Sequence, residues 1–124
     1  MSYLTYDSGE REQFGSGAQR DTQVNKPRYD LIPAAPLKRL AELMARGAVK
    51  YGDNNWTKGM PASRFMASLM RHVEAYRLGE RDEDHLAAVV FNAFAIMHFQ
   101  GTEWDDLSRP VETTAEVLKR KLAN

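Results

Sequence analysis

The chain has no cysteine, which removes disulfide frameworks, thiolate metal sites and cysteine nucleophiles together. It has no excess of either charge. Lys+Arg and Asp+Glu are both 17, so no global field draws it to nucleic acid or to a membrane, and any phosphate-binding patch must be local. It has no basic-then-apolar leader and no long uncharged apolar run, so the expectation is a soluble protein in a reducing cytoplasm, with no membrane partner. No stretch alternates with period two for long enough to be a strand. No internal repeat is visible. A glycine-rich phosphate loop, a zincin helix and a nucleophile elbow are all missing too.

What remains is helical. Its 124 residues suit one domain with a modest core. Residues 1–33 are polar and punctuated by Gly9, Gly15, Gly17, Pro27 and Pro33, and read as an extended arm. A core follows over 34–101. Leu37, Leu40, Ala41, Leu43, Met44 and Ala48 carry helical spacing after Pro36, with Gly47 and Gly52 marking a fraying end. A second helix over about 62–78 opens at Pro61 and Ser63, stops at Gly79, and buries Phe65, Leu69, Val73 and Tyr76. A third begins near Asp82 or Asp84, where acidic residues suit a helix N-terminus, and runs to about His98. Residues 102–124 are a linker and a short helix after Pro110, announced by the capping-box pair Thr113 and Glu116. The class is all-α: a small bundle of three core helices with an arm and a short last helix.

Three helices of about sixteen residues, each about 24 Å long, make a thin bundle. The third is apolar on almost every face, and such a helix must be surrounded. The expectation is a homo-oligomer, a dimer, tetramer or larger, built in part on that helix.

Polar groups interrupt the apolar ones in a pattern. His85 and Asn92 lie within roughly 20° of each other on the third helix at about 100° per residue, with only Ala88 between them on that face. An unpaired buried polar group costs about 1–3 kcal/mol. These two therefore either bond to neighbouring helices or water, or face a cavity that holds a ligand. The second helix carries Arg64, Ser68, Arg71 and His72 along one side. Arginines beside a histidine and small residues resemble a wall for an anion, because guanidinium meets phosphate bidentately. Between these helices the run GERDED places Glu80, Asp82, Glu83 and Asp84 together. Such a run is a solvated helix cap, or the oxygen set of a Mg²⁺ or Mn²⁺ site completed by imidazole.

The motif order RDTQVNKPRYDLIP, LAELMARGAVKYGDNNWTKGMPASRF, SLMRHVEAYRLGE and DEDHLAAVVFNAFAIMHF resembles the dATP/dGTP diphosphohydrolase N-terminal family, largely from bacteriophages, over roughly residues 18–100. The resemblance implies hydrolysis of a purine deoxynucleoside triphosphate to monophosphate and pyrophosphate with a divalent metal, in the cytoplasm of an infected host. It is also distantly similar to MazG-type all-α pyrophosphohydrolases, which set acidic pairs on neighbouring helices around Mg²⁺ and assemble as dimers or tetramers. At the positions of that pattern stand Asp82, His85 and Asn92, with histidine for an expected aspartate, and Ser68, Arg71 and His72 where a glutamate pair is expected.

Under the resemblance Glu80, Asp82, Asp84 and His85 are the metal ligands, and His72, Asp84 and His85 are catalytic, His72 or a carboxylate orienting the water. The segment KYGDNNWTKG closes over the nucleotide. Tyr51 or Trp56 stacks on the base, Asn54 or Asn55 reads its edge, and Lys50, Lys58, Arg64 and Arg71 meet phosphates, with Asn92 beside them. For Tyr51 and Trp56 the alternative is that the rings cap the bundle. Arg20, Lys26 and Arg28 add cations in the arm. With half the acidic cage missing, three arrangements stay open. The histidines replace carboxylates as ligands, the metal sits elsewhere, or the protein sequesters a nucleotide or nucleotide-derived signal without cleaving it.

Overall fold

The computed structural model describes residues 3–108 and 112–123. Pro110, the expected break before the last helix, lies outside them. The chain divides into one unit ending at Ile32 and another beginning at Pro33.

The first unit holds a two-stranded antiparallel ribbon where the sequence offers only an extended arm. Strand β1 (Arg11–Gln13) pairs with β2 (Gln19–Asp21), with Arg11 opposite Asp21 and Glu12 opposite Arg20. Opposite charges across the ladder stabilise it, and Arg11 also grips Asp7 through two bonds of 2.7 Å. Three residues per strand are too few for an alternating apolar signal, so this pairing leaves no trace in the hydrophobic pattern. Lys26 pairs with Asp21 and Arg28 with Asp30.

The second unit contains α1 (Ala34–Tyr51), α2 (Ala62–Arg77), α3 (His85–Phe99) and α4 (Thr114–Leu122). Helix α1 accepts Pro36 because its first turn has no amide partner to lose. It runs through Gly47, which the sequence marks as fraying, and stops at Gly52, whose φ is 90°. Helix α3 starts at the expected acidic cap, with Asp84 accepting from the Ala87 amide at 3.1 Å. Helix α4 has the full reciprocal box, Thr113 with Glu116.

Helix α2 is capped from far along the chain. The Ser63 amide donates to Asp106 at 2.8 Å, the Ser63 hydroxyl bonds the same carboxylate, and the Ala62 amide donates to the Trp104 carbonyl at 2.9 Å. The packed core therefore reaches past residue 101 into the segment read as linker.

That core is small. Phe65, Ala95 and Phe99 lie at its centre, ringed by Trp56, Met60, Phe91, Ile96 and Trp104. Phe65 and Phe99 stack at 5.9 Å, and Trp56 meets Phe91 edge-on at 5.6 Å. Helix α3 packs against α2 and α1, and buries His85, Ala87, Ala88, Asn92, Ala95 and Phe99. Its opposite side stays open: Leu86, Val90, Phe94 and Met97 are 39, 43, 54 and 66% exposed. Helix α1 buries no residue fully. Tyr76, placed by periodicity in the buried stripe, is 40% exposed and lies under the Arg81 guanidinium, 4.0 Å from its ring centre.

Candidate functional site

The polar seam lies where α2 meets α3. Ser68 and His72 of α2 stand four positions apart, about one helical turn, and the antiparallel α3 sets Asn92 beside Ser68 and His85 beside His72. Asn92 donates to the Ala88 carbonyl at 2.8 Å and to the Ser68 hydroxyl at 3.4 Å. His85 is 4% exposed, with Nδ1 standing 2.9 Å from His72 Nδ1 and Nε2 standing 2.9 Å from Asp82 Oδ1. No fully buried side-chain nitrogen or oxygen among the described residues lacks a partner. Of the two accounts the sequence leaves open, bonding between helices is what the structure has.

The direction of these bonds follows from their chemistry. An ionised carboxylate only accepts, so His85 donates from Nε2 to Asp82. The His85 bond holds the Asp82 carboxyl below its usual pKa. A neutral His85 then presents the Nδ1 lone pair to His72, and one proton lies between the two imidazoles.

The acidic run separates into distinct jobs. One ligand atom each from His72, Glu83 and His85 lie within 4.8 Å of one another, and so do atoms from Glu80, Asp82 and His85. Asp84 belongs to neither group. Arg39 clamps it with bonds of 2.9 and 2.7 Å, and it caps α3. Sequence treats Glu83 as one carboxylate of four, and only the path of the chain into α3 distinguishes it.

Arg39 pulls the Asp84 carboxyl down to about 2 from 3.8, helped by the Ala87 amide. Stability from this clamp is complete above pH ~4 and is lost as pH falls through that window toward 2. Arg39 is 51% exposed, so solvent screening reduces the loss to about 1 kcal/mol. Urea melts at pH 5 and pH 2.5 of wild type and Asp84→Asn test this, because the difference between the two proteins should shrink at the lower pH.

Arg64 and Arg71 are exposed on the Ser68 side of α2, with no ion pair among the described residues. The KYGDNNWTKG segment is less unified. Lys50 lies 5.0 Å from the ring centre of Tyr51, which is 60% exposed. Lys58 is exposed and Asn55 half-buried. Trp56 is a core residue, touching Phe65, Phe91, His98 and Phe99 edge-on, so the alternative of a ring that caps the bundle describes it. It also lines an open apolar hollow of about 400 Å³ with Leu40, Met44, Phe91 and His98. The seam's His85 and the hollow's His98 are thirteen residues, about 20 Å, apart along α3. Sequence reasoning missed Trp104 and Asp106, whose roles depend on contacts distant in the chain.

A divalent ion is tested by this donor set. Both groups include His85, so nitrogen is unavoidable among the ligands. The set suits Mn²⁺, which accepts imidazole, and suits Mg²⁺ poorly, since that ion keeps to oxygen and water.

No helix is long and apolar enough to cross a membrane among the described residues. No curated protein and no solved structure matches the chain. A family model described as "dATP/dGTP diphosphohydrolase, N-terminal" matches residues 16–107, which include α1, α2, α3, the polar seam and the Trp104–Asp106 cap. The chain belongs to the dATP/dGTP diphosphohydrolase N-terminal family.

Proposed function

We propose that the protein hydrolyses purine deoxynucleoside triphosphates to monophosphate and pyrophosphate at the seam between α2 and α3, with Mn²⁺ held around His85. What supports this is the family match over 16–107 together with a buried histidine joined to Asp82 and His72, and two exposed arginines on α2 with no ion pair among the described residues. A bound ion offsets phosphate charge and lowers the pKa of water near it. Arg64 and Arg71 meet the phosphate oxygens and offset the charge that grows on the departing pyrophosphate. Asp82 fixes the His85 ring. Glu80 is exposed and close to His85, and its carboxylate makes no hydrogen bond among the described residues, so it is the carboxylate we assign to take the proton of the attacking water. Water oxygen bonds to the α-phosphorus as the bond to the bridging oxygen breaks. Tyr51 is the exposed ring of its segment and the one available to stack on a base.

Pyrophosphate should appear from dATP or dGTP with Mn²⁺, stop with EDTA and return with added ion. Full activity in EDTA contradicts the ion's role. One observation favours a second reading: both inward polar groups of α3 are already satisfied by neighbours, and the carboxylates near His85 are few. A protein that sequesters nucleotide without cleaving it needs no more than that, and intact nucleotide retained on the protein is its signature.

The same reading includes self-association. Few residues are buried for a chain of this length, while Leu86, Val90, Phe94 and Met97 form a stripe along α3 open to solvent. A second copy of that stripe is the complementary surface we assign to it. Light scattering should give a dimer or larger assembly, and Phe94→Glu should shift it toward monomer. A monomer at all concentrations contradicts the assignment.

A further inference from the structure

We propose that His72, His85 and Glu83 form a nitrogen-bearing site for a divalent transition-metal ion, oriented by Asp82, which discriminates against Mg²⁺. The inference deepens the reading above by naming the ligands and the class of ion.

Three observations converge. The two Nδ1 atoms are 2.9 Å apart, close to the ~3 Å that separates adjacent ligands on one ion with metal–nitrogen bonds of about 2.1 Å. A cation bound by both nitrogens sits to one side of the line joining them, and the single shared proton leaves to solvent as the two lone pairs turn to the ion. Second, the remote nitrogen of His85 donates to the Asp82 carboxylate at 2.9 Å. Metal-bound histidines are oriented in this way: the carboxylate fixes the tautomer and makes the facing lone pair more basic. Third, a Glu83 oxygen lies within 4.8 Å of ligand atoms of both histidines, supplying the anion that two neutral imidazoles lack. Two imidazoles and one carboxylate leave positions open for phosphate oxygens or water. The order of affinity expected for such a set is Mn²⁺ below Co²⁺, with Zn²⁺ also tight, and Mg²⁺ far behind. Asp84 is excluded from the set because Arg39 and the α3 amide occupy it.

The test is made on the full chain without nucleotide, so that it stands apart from hydrolysis. Co²⁺ is titrated by calorimetry and by its visible absorption, with Mg²⁺ as competitor. We expect one Co²⁺ per chain with nitrogen-type absorption bands, undisturbed by a 100-fold excess of Mg²⁺. His72→Ala and the exposed-site variant Glu83→Gln should each weaken Co²⁺ at least tenfold, Asp82→Asn by about 10–100-fold, and His98→Ala not at all. Circular dichroism checks that each variant is folded. Displacement of Co²⁺ by equimolar Mg²⁺, or unchanged affinity in both folded His72→Ala and Glu83→Gln, overturns the site. Hydrolysis lost with Co²⁺ binding intact counts against the enzyme reading alone. Absence of Co²⁺ binding by the wild-type chain with hydrolysis intact counts against this site alone.

Discussion

His85→Ala should lower pyrophosphate release at least about 100-fold, comparable to removing one preorganised group from a charge-stabilising site. The imidazole is the only group common to both ligand clusters, and it connects Asp82 on one side with His72 on the other. The alanine variant leaves both neighbours without their bond. It also opens a hollow at a position that is 4% exposed, so a stability cost of about 1–3 kcal/mol accompanies the loss of function. Thermal melts and initial rates on the same preparation separate the two effects. His85→Gln keeps a polar side chain of similar reach and should recover part of the stability but little of the rate. If His85→Ala changes the melt and leaves the rate near that of wild type, His85 is a packing residue and the seam is not the reacting site.

Gly59→Ala should be the most damaging small substitution in the core. Gly59 has φ of 108°, a conformation that side chains rarely adopt, and a Cβ built there falls into the Trp104 ring. Backbone strain of about 1–3 kcal/mol adds to the displacement of a core aromatic, for a total of about 3 kcal/mol or more. That is a large share of the stability of a small domain. The shift also reaches the N-terminus of α2, because the Trp104 carbonyl accepts from the Ala62 amide and the neighbouring Asp106 caps Ser63. Gly79→Ala is the companion: its φ is 85° but nothing lies within 4 Å of its Cβ, so it should cost only the strain. Urea denaturation of the two variants measures the difference. Equal losses would mean that the Trp104 contact contributes nothing.

The helices were legible because their signals are local. Asp84 ahead of α3, the pair Thr113 and Glu116 ahead of α4, and the apolar spacing of α2 each lie within a few residues of what they determine. The ribbon was not legible, because its order comes from cross-strand charge pairs such as Arg11 with Asp21 rather than from alternation. The cap on α2 was hidden for another reason: Ser63 and Asp106 are 43 positions apart, and no short motif encodes such a bond. In the site, the inward direction of His85 and Asn92 was readable from helical angle alone, and both are buried. Which carboxylate accompanies them was not readable. Asp82, Glu83 and Asp84 are consecutive, yet the turn into α3 sends one to the far nitrogen of His85, one toward His72 and one to Arg39. Trp56 shows the same limit, since a ring in a glycine- and asparagine-rich segment looks available to a ligand until Phe65, Phe91 and Phe99 are brought against it.

The chain has three histidines, and they sample two places in the helical unit: His72 and His85 at the seam, His98 in the apolar pocket beside Trp56. Imidazole NMR signals, followed while dGTP is added with a trace of paramagnetic Mn²⁺, therefore report where the nucleotide and its ion settle. The account predicts that the His72 and His85 signals broaden first while the His98 signal stays sharp. Broadening of His98 ahead of the other two, or no response from any of the three, would contradict it.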